Sequence, residues 1–391
     1  MTHGALRKTG LTRRDLLKAS LAAPMAASAC VDSACVDQAD GTTLQGPPIT
    51  PDPEFPVDGP PLRVLAEAKG RRFGTAAVWS GYLQTDPRLR EVYRREAGVI
   101  VPDTELKWSW TRPSAATANW WGTDQLLLFC ENANIAFHGH NLAWEEDNPA
   151  WTRSVITSAN AEPFLRQHVR AVMTRYGSRM ISCDVVNEPI WLGHDKPGGL
   201  RNGIWLETLG EAYIDIAFDE AHRIAPNVLL VLNEAAIETT IPEDQKRREA
   251  FLKLLDRLKQ RNVPVQSIGI ESHLSTISAV DDGDFTGFLK ELGSRRLPVQ
   301  ISELDMSDSH ETGSIAERDR KVAEAYYRYL TIALRDPGVQ SVKTWELWDG
   351  RTKPKGDPDK FPRPMPFDIN LKRKPAWGAI ARAFREAPTR A

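Results

Sequence analysis

From Arg71 onward, short apolar, β-branched runs alternate with longer segments of helical period. That alternation is the pattern of parallel strands joined by crossover helices. Eight runs read as strands: Phe73 to Trp79, Val99 to Thr104, Ile135 to Leu142, Ile181 to Glu188, Val228 to Glu234, Ser267 to Leu274, Pro298 to Asp305 and Ser341 to Leu347. Between them the period predicts helices over Glu162 to Tyr176, closed by Gly177, then Glu207 to Ile224, Glu243 to Arg261 and Ile315 to Arg335, with a last one starting at Pro375. Eight strand and helix units point to an α/β fold closed as a (β/α)8 TIM barrel rather than to an open sheet.

A barrel of this kind carries its chemistry where its strands end, at the C-terminal face. The polar residues at the predicted strand ends are Glu105 and Lys107 after the second strand, His138 and His140 on the third, Asn187-Glu188 on the fourth and Asn233-Glu234 on the fifth. Glu271 and His273 stand on the sixth, Glu303 and Asp305 on the seventh, and Glu346 and Asp349 after the eighth. So many carboxylates exceed what a passive rim needs. Cleaving a glycosidic bond with retention takes one carboxyl group to protonate the leaving oxygen and a second, about 5 Å away, to attack the anomeric carbon. Glu188 in Asp184-Val185-Val186-Asn187-Glu188-Pro189 is the candidate acid/base, and Glu303 in Ile301-Ser302-Glu303-Leu304-Asp305 the candidate nucleophile. The first should then have a raised pKa and the second should be ionised, with His273 placed to orient it.

The residues around these acids resemble glycoside hydrolase family 10, whose typical members are endo-β-1,4-xylanases. The resemblance runs through nearly all of Arg63 to Glu386. It rests on Phe73-Gly74-Thr75-Ala76, on Pro102 to Trp108, on His138-Gly139-His140-Asn141-Leu142-Ala143-Trp144, on Asp184 to Glu188, on Ile268 to His273, on Ile301 to Asp305, and on Phe367-Asp368 with Lys374-Pro375-Ala376-Trp377. It implies a barrel, a double-displacement mechanism and a polysaccharide or oligosaccharide substrate. By position it makes Lys107, His140, Trp144, Asn187, His273 and Trp345 contacts to the sugar beside the scissile bond, with Glu271 where the family carries Gln.

Other departures lie mostly where the non-reducing side of the substrate would bind. The family's Glu-Asn pair is Asp103-Thr104 here, its His-Ser-Gln is Glu145-Glu146-Asp147, and Glu346-Leu347-Trp348-Asp349 follows Trp345. An acceptor-only carboxylate reads a different hydroxyl pattern from an amide. Added charge at Glu145, Glu146, Asp147, Glu271 and Glu346 would disfavour uronic acids unless Lys107 or an arginine compensates. An endo-1,4-β-xylanase-like activity is expected, with another β-glycan, such as a bacterial exopolysaccharide, as the alternative. Two rivals need separate observations. A metal-dependent hydrolase would use His138, His140, His273 and Asp305 as ligands. A non-catalytic carbohydrate-binding descendant gains nothing from keeping both Glu188 and Glu303, since a buried carboxylate costs desolvation.

Composition narrows the partners. The 391-residue chain has a formal charge of −2 and no long Lys/Arg run, which gives no electrostatic footprint for nucleic acid. Nothing demands a cofactor, and a monomer is expected. Twelve tryptophans suit stacking on sugar rings, although about half should simply fill core and loops.

Residues 1–29 read as an address: Thr12-Arg13-Arg14-Asp15-Leu16-Leu17-Lys18 precedes an apolar stretch ending at Ala27-Ser28-Ala29, like a twin-arginine export signal. Cleavage there leaves Cys30 first, so either ordinary processing or a lipid anchor at Cys30 fits, for a periplasmic, secreted or membrane-anchored protein. Residues 30–61, rich in Pro and Asp, read as a flexible tether, and 62–391 as the catalytic domain. Cys35, Cys130 and Cys183 are too few and scattered for a disulfide framework.

Overall fold

The computed structural model describes residues 54–351 and 360–390. The expected export signal, Cys30 and most of the expected tether lie outside them. Among the described residues are nine parallel strands: β1 (Arg72–Ala77), β2 (Val99–Pro102), β3 (Ala136–Trp144), β4 (Ser182–Asn187), β5 (Leu229–Glu234), β6 (Ser267–Ile270), β7 (His273–Ser275), β8 (Val299–Ser307) and β9 (Val339–Thr344). Each of β1 to β5 pairs with the next, β6 pairs with β8, β8 with β9, and β9 with β1, which closes an eight-stranded barrel. The short β7 pairs only with the far end of β8.

The strands form where they do because helices cover the sheet outside and side chains fill it inside. Such strands are buried on both faces and read as near-continuous apolar runs; all of β2 and β4 is buried. The crossover helices are α1 (Pro87–Glu96), α2 (Trp121–Ala133), α3 (Ala161–Tyr176), α4 (Ala212–Ile224), α5 (Pro242–Gln260), α6 (Asp282–Ser294), α7 (Ile315–Ala333) and α8 (Pro375–Glu386). Local chemistry sets several of their ends. Asp86 caps α1 by accepting from Arg88 N at 2.8 Å, with Pro87 at the first helical position. Ser314 and Glu317 cap α7 reciprocally, Oε2 of Glu317 accepting from Ser314 N at 2.8 Å.

Three expectations need correction. The run from Glu207 to Ile224 is two helices, Ile204–Leu209 and α4, because the chain turns at Gly210 with φ 63°, a left-handed conformation that glycine adopts without strain. The sixth strand is broken into β6 and β7 at Ser272, which has φ 64°. Residues 54–61, expected as the end of the tether, are docked on the barrel. Phe55 is buried, its ring 5.5 Å from that of Tyr327 on α7, and Arg373 donates to the carbonyls of Val57 and Gly59 at 3.1 and 3.0 Å. One aromatic anchor in a Pro- and Asp-rich stretch is enough to dock it, since burying such a ring is worth about 2 to 3 kcal/mol.

Candidate active site

Of the nine candidate site residues, His140 and Glu303 lie within long strands and the others at or beyond the C-terminal ends of barrel strands. Asn187 ends β4 and Glu188 follows it with φ 47°; Glu271 and His273 flank the break between β6 and β7; Glu303 is inside β8; Trp345 follows β9. A left-handed glutamate is costly backbone, and such strain gathers at functional sites. His140 and Trp144 belong to β3, and Lys107 follows β2.

Glu303 is held from two sides. His273 Nε2 lies 3.2 Å from its Oε2, and Asp305 Oδ2 lies 3.0 Å from His273 Nδ1. Asn233 Nδ2 donates to Glu303 Oε1 at 2.9 Å. Although burial is the largest influence on Glu303 and pushes its pKa up, His140 and His273 outweigh it and hold the carboxyl below its ordinary value. The two carboxylates around His273 likewise override burial and keep it an imidazolium. Glu188 is shifted the other way. Burial first, then the charges of Glu303 and Glu146, raise it against the pull of Arg201, whose Nη2 donates to Glu188 Oε2 at 2.6 Å. The two candidate carboxyl groups are therefore shifted in opposite directions.

Sequence reasoning gave Asn233 no role, yet it ties the site together. Its Nδ2 donates to Asn187 Oδ1 at 2.7 Å and Glu271 Oε1 at 3.0 Å as well as to Glu303, while its Oδ1 accepts from Ser302 Oγ at 2.6 Å. A Cβ on Gly269 of β6 would sit 1.9 Å from that Oδ1, so the glycine makes room for the amide. Glu271, buried beside Glu303 and Glu188, is pushed well above the ordinary carboxylate range by burial and those like charges. The shift favours the protonated form, which donates a hydrogen bond as well as accepting one.

Beneath the mouth, His138 Nε2 and His140 Nδ1 both lie 2.9 Å from Asp184 Oδ2, and His138 Nδ1 lies 2.7 Å from Ser182 Oγ. His140 Nδ1 is also 3.9 Å from Glu303 Oε1. On the other side, Lys107 Nζ stands 5.1 Å from the ring of Trp144 and 5.7 Å from that of Trp345, which meets His140 edge-on at 5.1 Å. The residues of the metal reading are not gathered into one ligand set. His138 and His140 turn to Asp184, while His273 faces Asp305 and Glu303. The grouping that does form, Glu271, His273 and Glu303, has ligand atoms within 4.8 Å of one another. There both ring nitrogens of His273 face carboxylates, Nε2 toward Glu303 and Nδ1 toward Asp305.

Residues 61–383 match the model of glycosyl hydrolase family 10. The chain belongs to that family. Within it, the chain is 28% identical over 330 residues to endo-1,4-beta-xylanase B of Thermotoga neapolitana, covering 83% of this chain and 92% of that one. Among solved structures, native xylanase 10B from Thermotoga maritima superposes with a TM-score of 0.74 at 26% identity, over 83% of this chain and 98% of that one. Xylanase 10B from Thermotoga petrophila RKU-1 in complex with xylobiose gives 0.75 at 26% identity, over 84% and 98%. Membership makes the protein a glycosidase of a retaining family on a (β/α)8 barrel.

The acids that depart from the family pattern are mostly occupied within the protein. Glu145 takes Leu206 N at 2.8 Å and Trp205 N at 3.3 Å, at the start of the helix Ile204–Leu209. Asp147 takes Ser109 Oγ at 2.7 Å and its N at 3.1 Å. Arg201 pairs with Glu146; Arg351 pairs with Asp103 and, at 2.8 Å, with Glu346, which also accepts from the Tyr93 hydroxyl at 2.8 Å. Of the five added acids, Glu146 and Glu346 are thus paired with an arginine.

Proposed function

We propose that the protein is an endo-1,4-β-xylanase-like enzyme that cleaves a β-1,4-linked polysaccharide by double displacement, with Glu188 as acid/base and Glu303 as nucleophile. The observation that carries this reading is that, in a family 10 barrel, Glu303 is fixed by His273 and Asn233 while Glu188 follows Asn187, whose side chain accepts from the same Asn233 amide; burial and neighbouring charges also shift the two carboxyl groups in opposite directions. In the first step the Glu303 carboxylate attacks the anomeric carbon while the glycosidic C–O bond breaks, and the Glu188 proton passes to the leaving oxygen. In the second, Glu188, now a carboxylate, takes a proton from water as that water attacks the same carbon. The bond to Glu303 breaks, and both groups return to their starting states. Asn187 and His140 are suited to the sugar hydroxyls next to the reacting carbon, and Lys107, Trp144 and Trp345 to the walls around that sugar.

Purified enzyme should release xylo-oligosaccharides from xylan. Turnover of another β-glycan with none of xylan would keep the mechanism and overturn the substrate. That second reading is favoured by Glu271, a carboxyl group bonded to Asn233, and by the Asp103–Arg351–Glu346 cluster, which present other donors and acceptors than the family's amides.

The pH dependence follows from the two shifts. Glu303 must be ionised and titrates below the ordinary glutamate value of 4.5, so kcat/KM falls only when pH drops through that lowered pKa. Glu188 must be protonated and titrates above 4.5, so activity falls as pH rises through its raised pKa. A bell-shaped kcat/KM profile is expected, its acid limb below 4.5 and its alkaline limb above; a profile flat across that range would refute the assignment.

Export by the twin-arginine route is proposed from Arg13-Arg14 and the apolar stretch after them. Replacing both arginines with lysine should leave the activity in the cytoplasmic fraction, and unchanged export would contradict it.

A further inference from the structure

Arg201 is a buried guanidinium shared between two carboxylates. Nη2 donates to Glu188 Oε2 at 2.6 Å and Nε to the Glu188 carbonyl at 2.8 Å, while Nη1 donates to Glu146. The fork is also held against the face of Trp191, with Cζ 4.6 Å from the ring centre, so it cannot swing away from Glu188 without leaving that ring. An arginine in this position works against a general acid, because a cation at hydrogen-bond distance favours the carboxylate over the protonated form. A counter-charge on the arginine relieves the conflict. Glu146 supplies it from the loop after β3, with a side chain 53% exposed and no hydrogen bond of its own to Glu188 among the described residues. In the resemblance described above, Glu146 stands where the family carries Ser, which has no charge to offer.

We propose that Glu146 is a positioning residue that occupies Arg201 and thereby keeps Glu188 protonated in the resting enzyme. This rests on Glu188 being the acid/base. The other groups that bear on Glu188 come from every neighbouring strand: Asn187 on β4 at 3.4 Å, Glu234 on β5, Glu271 after β6, His273 on β7 and Glu303 on β8. None of them bonds Glu146, so a change at Glu146 leaves them as they are and alters only the charge beyond Arg201.

The test is the pH profile of kcat/KM of the purified full-length enzyme and three variants. Glu146→Gln still offers Arg201 a carbonyl acceptor, so it removes charge while keeping geometry. It should move the alkaline limb to lower pH by roughly half a unit or more while the acid limb, set by Glu303, stays in place. Glu146→Asp, which restores the charge, should return the limb toward its wild-type position. Glu188→Ala identifies the limb itself. If the alkaline limb survives in Glu188→Ala, the acid/base assignment is wrong and the proposal falls with it. If the limb vanishes there but does not move in Glu146→Gln, or if both limbs of Glu146→Gln move together, the assignment stands and the role given to Glu146 is overturned.

Discussion

Glu303→Ala should lower kcat on the order of 10^5-fold on every substrate the enzyme accepts, because no covalent intermediate can form without the carboxylate. The loss should be almost purely chemical. His273 keeps Asp305 at Nδ1 and loses its acceptor at Nε2 on a side chain 40% exposed to water, and Asn233 keeps Asn187 and Glu271 as acceptors, so the barrel should retain its melting temperature within a few degrees. Kinetics and thermal unfolding of the same preparation check both halves. A drop of tenfold or less in kcat would mean that another group attacks the sugar. The neighbouring Glu271, which shares the Asn233 amide with Glu303, would be the first suspect.

Glu188→Ala should behave differently, and the difference identifies the role. With a polysaccharide, whose leaving group is a poorly acidic alcohol, kcat/KM should fall by about 10^4-fold, the upper end of what general acid catalysis supplies. With a dinitrophenyl glycoside the leaving group needs no proton, so formation of the glycosyl-enzyme should stay near wild type. Its breakdown, which needs Glu188 as a base, should become slow. A burst of dinitrophenolate followed by a slow steady state, with a lowered KM, is the expected time course. Azide, an anion that attacks without a base, should raise the steady-state rate. Equal losses on both substrates with no burst would remove Glu188 from the acid/base role.

How far these residues could be found without coordinates depended on what signal each leaves in one dimension. Strands buried on both faces leave apolar runs, so β4 at Ser182–Asn187 falls inside the expected Ile181 to Glu188, and the barrel follows from eight such runs. Glu188 and Glu303 were legible because each is a carboxylate at the end of a buried run, inside a motif the family shares. Asn233 was visible as a polar strand end, but its three acceptors come from β4, β8 and the turn after β6, and no local pattern announces that convergence. Arg201 was invisible for a plainer reason. It lies in the irregular stretch between Leu200 and Gly203, where no period marks a position as inward, and its burial is decided by Glu146 and Glu188 from two other segments. The single helix expected over Glu207 to Ile224 failed because a helical period can continue across a turn; only the backbone angle at Gly210 reveals the break. The docking of Phe55 was hidden by its neighbours, since composition over a window outweighs one ring.

The Glu146, Asp147 and Glu145 substitutions carry a related lesson. Read along the chain they add three charges to a sugar groove; in the folded protein they serve an arginine, a serine and a helix start. The departures without such a local role are Glu271, beside Glu303, and the cluster of Asp103 and Glu346 around Arg351.

Peptide mapping by mass spectrometry after incubation with a 2-deoxy-2-fluoro β-xylobioside bearing a dinitrophenyl leaving group tests the central claim most directly. The fluorine slows both displacement steps while the good leaving group restores the first, so the glycosyl-enzyme accumulates. The account predicts a single adduct on the peptide carrying Glu303, formed as activity is lost. An adduct on Glu271 instead, or release of the dinitrophenolate in many turnovers with no adduct on any carboxylate, would contradict it.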